Sequence, residues 1–375
     1  MSSIFPFAAL RPVPQVAAAV AAVPYDVVNA AEARALAEGN PLSFLHVSRA
    51  EIDLPPGTDP YADAVYERAA ENFNDLRSHA PLVEEDTPTF YVYELQMGPQ
   101  VQTGVAACFS LDEYDNDLIK KHEKTRPDKE DDRTRHVLTL NANAEPVFLT
   151  YRGRAEIDRT VEDIARTAPL YDFTAPDQVR HTVWSVPDPA ALAAAFGPVP
   201  LAYVADGHHR SASAWRAGKE LRAKNPSHRG DEEYNWFLAV LFPSDQLRIL
   251  PYNRVVRDLN GLTPARVLER LGGLGTLART EIPVPERSGV FCLFLDGSWH
   301  RLELDPAGID RTDPIASLDV SLLQDRVLSP ILGIGDPRTD KRIDFVGGIR
   351  GTAELERRVR SGDMAIAFSL YPTTL

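Results

Sequence analysis

The residues of this chain best equipped for chemistry fall in two short stretches that lie far apart in the sequence. One is Asp206-Gly207-His208-His209-Arg210, set between the apolar run 201–204 and an alanine-rich stretch opening at Ser211. A buried strand, an abrupt turn and a helix, with Ser211 in a capping position, is the expected local structure. Such a turn aims unpaired backbone N–H groups and the positive end of a helix dipole at one point, and an Arg and two His add to it. A phosphate is the anion that suits this point best. Gly207 fits a positive φ or a close backbone approach. Asp206 makes sense beside a phosphate if it holds a metal or orients a hydroxyl. An ordinary solvated loop is the competing reading. Structural zinc is disfavoured, because no further His or Cys stands nearby at ligand spacing.

The other stretch is His122-Glu123, which opens the most charged part of the chain. Residues 120–135 hold seven Lys or Arg and five Asp or Glu in sixteen positions. A solvated helix with i,i+4 pairs such as Asp131–Arg135 explains a run of this kind. Its start argues for more, since Glu123 follows a strand directly and sits among Lys120, Lys121, Lys124 and Arg126. A carboxylate so placed stays ionised and can act as a general base near an anionic substrate.

The rest of the chain must position these groups. Its 375 residues suffice for two or three domains, and 44% apolar with 25% charged residues is the balance of an ordinary globular protein. A formal net charge of −14 disfavours nucleic acid and anionic membrane as partners. Cys108 and Cys292 stand in apolar runs and are expected as buried free thiols, and no apolar stretch approaches a membrane span, so the cytoplasm is the expected compartment. Helices are expected over 30–38, capped by Asn29, and over 59–80, 158–168, 188–196, 264–271, 318–332 and 353–361. Strands are expected over 43–48, 89–97, 101–111, 146–151, 181–186, 235–242, 247–256, 290–295, 299–304 and 364–370. The second Gly-rich turn, residues 345–351, lacks both the dinucleotide fingerprint and the Walker lysine. Tyr25, Asp26, His46 and Arg49 are polar groups beside apolar runs, read most simply as strand-edge or surface residues. The sequence carries no indication of oligomeric state.

The His-Glu segment followed by a strand–DGHHR–helix resembles the ParB/sulfiredoxin superfamily, and within it the free-serine kinases. The blocks AAVPYDVV, NPLSFLHVSR, YVYELQ, QTGVAA, FLAVLFP, LPYNRVVRDLNG, DFVGGIRG and IAFSLYPT look like the longer bacterial SerK-like domain family, long catalogued as a domain of unknown function. The resemblance implies a mixed α/β protein. Its ParB/sulfiredoxin-like core would span 104–255, between an N-terminal α/β region, 1–103, and a C-terminal α+β region, 256–375. It implies transfer of a phosphoryl group to the hydroxyl of free serine or a similar hydroxy-amino acid. Mg²⁺ would assist, and ATP, ADP or pyrophosphate would be the donor. Glu123 would take the hydroxyl proton, with Asp206 catalytic and on the metal. Gly207, His208, His209, Arg210, Ser211, Lys120 and Lys121 would hold the donor phosphates, and His122, Arg126 and Arg49 the acceptor. The resemblance also implies a polar tail that helps to hold the acceptor, where this sequence reads Pro372-Thr373-Thr374-Leu375. A nucleotide-binding regulatory module without turnover, and a phosphohydrolase in which Glu123 activates water, are the alternatives.

Overall fold

The computed structural model describes residues 4–79 and 82–373. Among them the strands form three sheets, in a mixed α/β protein as expected. A two-stranded ribbon pairs β1 (Leu10–Pro12) with β2 (Leu82–Glu84). The largest sheet contains β3 (Tyr91–Met97), β4 (Gln100–Ser110), β5 (Ile119–Lys120), β6 (Val147–Tyr151), β7 (Tyr171–Thr174), β8 (Arg180–Ser185), β9 (Ala202–Asp206) and β10 (Trp236–Pro243). Their order is β5-β9-β6-β10-β4-β3-β8-β7. Two of its pairings are parallel, β5 with β9 and β6 with β10. The third sheet holds β11 (Tyr252–Val256), β12 (Gly275–Arg279), β13 (Val290–Leu295), β14 (Ser298–Leu304), β15 (Ile343–Gly347) and β16 (Ile366–Ser369), in the order β12-β14-β13-β16-β11-β15.

The chain divides into two compact units, Met1–Leu247 and Arg248–Leu375. The boundary expected at 103/104 falls inside β4, and the one expected at 255/256 inside β11. β4 is laddered on both sides, and the N-terminal segment bridges to Cys108 of β4 through Phe5 and to Thr89 through Phe7. The core of the first unit is built from Val105, Ala107 and Phe109 of β4, Leu149 and Tyr151 of β6, Val204 of β9, and side chains of the helices Ala155–Ala165 and Pro189–Phe196. In the second unit β13 is buried on both faces. Phe291, Leu293 and Leu295 enter one cluster and Cys292 and Phe294 the other, which is why its sequence is uninterrupted apolar rather than alternating. Cys108 and Cys292 belong to different sheets and both are free thiols.

Several local expectations are met. Asn29 caps the helix Ala30–Ala37 reciprocally: its side chain accepts from the N–H groups of Ala31 and Glu32 at 3.0 Å each, and Glu32 accepts from its N–H at 2.9 Å. The helix expected over 59–80 runs Asp63–His79, with Ala80 outside the described residues.

Others are corrected. Residues 43–48 form a helix, Leu45–Ser48, continued by a tight turn over Ala50–Asp53. Ser43 Oγ accepts the Leu45 N–H at 3.3 Å, a local bond that starts a turn where the β-branched and aromatic residues favour a strand. The strand expected from 247 begins only at Tyr252, after Pro251, which has no N–H for a ladder. Strands β7 and β12 were not expected. The i,i+4 pair Asp131–Arg135 does not form, because longer-range partners claim both: Asp131 binds Arg216 at 2.6 Å and Arg135 binds Asp63 at 2.7 Å.

Candidate active site

The two chemical stretches meet because β5 and β9 are parallel neighbours, Ile119 opposite Ala202 and Lys120 opposite Tyr203. Parallel strands end at the same edge of a sheet, so the segments leaving them start side by side. One exit is the loop 121–126, leading into the helix Pro127–Leu140, with a proline in its first turn. The other is Gly207, leading into the helix His208–Lys224. The two helices pack together: Ser213 Oγ donates to the Glu130 carbonyl at 3.1 Å, and Arg216 reaches Glu130 at 3.3 Å as well as Asp131.

The helix starts at His208, earlier than expected. Gly207 is its N-cap at φ 88°, a left-handed conformation, and no side chain caps the helix. Ser211 is therefore inside the helix, fully buried, its Oγ donating to the His208 carbonyl at 3.1 Å. Because the cap is a glycine, no side-chain oxygen stands in front of the first-turn amides of His208, His209 and Arg210. The next amide, the Ser211 N–H, makes the first helical bond, to the Gly207 carbonyl at 2.9 Å.

Both histidines are turned toward the neighbouring loop. His208 is buried, and its Nε2 accepts the His122 N–H at 3.5 Å while its Nδ1 lies 3.6 Å from Glu123 Oε2. Burial, with His122 and His209 close by and only partly offset by Asp206, holds its pKa down at about 4. The ring is thus neutral at pH 7, and with Nε2 accepting, the proton belongs on Nδ1, facing the carboxylate. The His122 and His208 rings meet edge to face, centroids 4.3 Å apart. His209 Nε2 accepts the Arg126 N–H at 3.2 Å. The pair clamps the loop, and Glu123 projects from it with its side chain 60% exposed.

Arg210 has a different position from the one its motif suggests. Its side chain is 9% exposed, and it donates through Nη2 to Asp206 at 2.5 Å and through Nη1 to the Pro146 carbonyl at 2.6 Å. Asp26 Oδ2 lies 3.8 Å from the same Nη2. Burial alone would weaken this cation, but Asp26, Asp206 and Glu145 outweigh it and raise its pKa. Its Nε packs on Gly207, where a Cβ would stand 3.0 Å away, a second reason for glycine there.

The remaining expected site residues are not gathered equally. Lys121 turns away, donating to the Tyr114 carbonyl at 2.8 Å, pairing with Asp117 at 2.8 Å and lying over the Tyr114 ring. Arg126 pairs with Asp128 at 2.8 Å and meets His209 only through its backbone. Lys120 ends β5, exposed. Arg49 is a strut, bound to Glu51 at 2.8 Å and to the Tyr25 carbonyl at 3.3 Å. Thr374 and Leu375 lie outside the described residues.

Behind Arg210 stands a group of polar residues that was not expected at the site. Tyr25 is buried, its N–H donating to Glu145 Oε1 at 3.2 Å and its ring under Arg133 at 4.2 Å. Burial pushes the Glu145 carboxyl up to about 7, against the pull of Arg133 and Arg210. Arg133 in turn binds Asp132 at 3.0 Å, which accepts the Tyr66 hydroxyl at 2.7 Å. A small cavity opens here, lined by Arg133, His136, Glu145, Arg210 and Ser213 among others. The only hint in the sequence was a Tyr-Asp pair after a proline and a Glu before one, each common on surfaces.

The residues suit a Mg²⁺ ion that arrives with phosphates. Such an ion takes most of its oxygens from water and phosphate and needs one or two carboxylates from the protein. Asp206 offers one, its side chain 65% exposed. Among the described residues no three His, Cys, Asp or Glu converge as a resident metal centre would require.

Residues 4–321 match the family described as "Protein of unknown function (DUF1015)". The chain belongs to that family. No curated protein matches this DUF1015 chain. Among solved structures, a conserved hypothetical protein from Pyrococcus furiosus aligns at 15% identity, covering 72% of this chain and 81% of its own, with a TM-score of 0.32. A free serine kinase in complex with AMP aligns at 15% identity, covering 72% of this chain and 78% of its own, with a TM-score of 0.34. Likeness at that level establishes neither a shared fold nor a shared activity. Among the described residues no helix is long and apolar enough to cross a membrane.

Proposed function

We propose that this protein is a small-molecule kinase of the cytoplasm, transferring a phosphoryl group from a nucleotide or another phosphoanhydride to the hydroxyl of free serine or a similar hydroxy-amino acid. The observation that carries the reading is the meeting of an exposed carboxylate with an uncapped helix N-terminus: Glu123 Oε2 lies 3.6 Å from a histidine in the first turn of the helix. A base and an anion cradle side by side are the two parts phosphoryl transfer asks of a protein, since positioning and charge stabilisation supply most of the catalysis. The motif resemblance to the free-serine kinases points the same way.

In this reading the donor phosphates sit on the amides of His208, His209 and Arg210. Glu123 takes the proton of the acceptor hydroxyl as its oxygen bonds to the terminal phosphorus, and the bond from phosphorus to the bridging oxygen breaks. The His208 Nδ1–H faces the Glu123 carboxylate and helps to orient it. Mg²⁺, held by Asp206, would neutralise charge on the donor oxygens. His208, His209 and Arg210 would then serve the site through backbone amides and by bracing the loop, with their side chains off the phosphates.

Glu123→Gln tests the assignment. It should lower kcat by roughly 10²–10⁴, the usual worth of a positioned general base, while leaving nucleotide affinity within about twofold by calorimetry. A variant as fast as the wild type would remove Glu123 from the chemistry, and inorganic phosphate in place of O-phosphoserine would turn the reading to a hydrolase.

A further inference from the structure

Asp26 is exposed, yet it is held as few surface aspartates are. Tyr25, beside it, is pinned three ways: its N–H by Glu145, its carbonyl by Arg49, its ring by Arg133. The Val27 N–H closes a turn on the Pro24 carbonyl at 3.3 Å. The segment therefore presents Asp26 at a set place, and that place is Arg210 Nη2, the nitrogen that also binds Asp206. Two carboxylates thus share one buried guanidinium at the mouth of the helix N-terminus. Arg210 has one guanidinium to offer, so Asp26 and Asp206 compete for the same nitrogen.

We propose that Asp26 is a positioning residue of this site. By taking part of the Arg210 guanidinium it sets how tightly Arg210 holds Asp206, and so how freely Asp206 turns to a divalent cation on the phosphates of a nucleoside diphosphate. The inference rests on the nucleotide-site reading above and adds the N-terminal segment to it. The kinase step is not needed for it to hold.

The test is the affinity of the full-length protein for ADP with Mg²⁺, and for ADP alone, by calorimetry. Asp26→Asn should weaken Mg²⁺–ADP about fivefold to tenfold, about 1.0–1.4 kcal/mol, and change ADP alone by less than twofold. Asp26→Glu should recover most of the loss. The double variant Asp26→Asn/Asp206→Asn should bind no more weakly than Asp206→Asn, because both act through one guanidinium. Equal losses with and without Mg²⁺, strictly additive losses, or no loss in Asp26→Asn would overturn the proposal. So would a wild type that does not bind Mg²⁺–ADP. Mg²⁺–ADP binding with this pattern but without phosphorylation of serine would sustain the role of Asp26 and end the kinase reading.

Discussion

His208 and His136 show what burial does to a titrating side chain in this protein. His136 lies inside the helix Pro127–Leu140, its Nε2 on the Val47 carbonyl at 3.0 Å, and burial holds its pKa at about 4, as it does for His208. Their ordinary value is 6.5. A group depressed in this way binds more protons in the unfolded chain between those values, so its stabilisation is complete above the unfolded pKa and is lost as the pH falls toward the folded one. Urea titrations at pH 7.5 and pH 5 should show the wild type losing stability on acidification, with about 2 kcal/mol of that loss absent in His136→Asn. An identical loss in the variant would contradict the assignment. Gly207 gives a second case, since its φ of 88° strains any other residue and a methyl group there would crowd the Arg210 side chain. Gly207→Ala should cost about 1–2 kcal/mol in the same titration, the usual worth of a left-handed alanine.

At the scale of elements, the site depends on a very short strand. β5 has two residues, yet its parallel register with β9 is what brings the loop 121–126 to the turn at Gly207. Ile119 is fully buried and anchors it. Ile119→Ala should cost about 2–4 kcal/mol and reduce turnover even where the protein stays folded, because the Glu123 loop loses its anchor. Measuring kcat and denaturant stability on the same sample separates the two effects. Glu145 works in the opposite pH direction from the histidines. Its folded pKa of about 7 stands above its ordinary 4.5, so its contribution is complete below the lower value and is lost as the pH rises through the higher one. Glu145→Gln should therefore gain on the wild type, by roughly 2 kcal/mol, between pH 5 and pH 8.

The chemical stretches were legible in the sequence because each packs its groups into consecutive residues after an apolar run. DGHHR and His122-Glu123 needed only a strand before them and a helix after. What the histidines do there was not legible, since it depends on a neighbouring strand that contributes two residues. Nor was the group behind Arg210, whose members Tyr25, Arg133 and Glu145 come from separate segments, Tyr25 more than a hundred positions from the other two. The strand expected over 43–48 failed for a local reason, Ser43 and Leu45 starting a turn where side-chain shape favours extension.

Over the whole molecule, every group of the site comes from the unit Met1–Leu247. The second unit is built on its own six-stranded sheet with a cluster on each face, which is the organisation of an independently packed body. The acidic net charge of −14 leaves phosphate attraction to local groups, here helix amides at an uncapped N-terminus. The direct test is to incubate the full-length protein with Mg²⁺, free serine and ATP, ADP or pyrophosphate in turn, and to follow serine by mass spectrometry. O-Phosphoserine formed with at least one donor by the wild type, and lost in Glu123→Gln, is the expected result. No phosphoserine from any donor, or equal amounts from both proteins, would contradict the account.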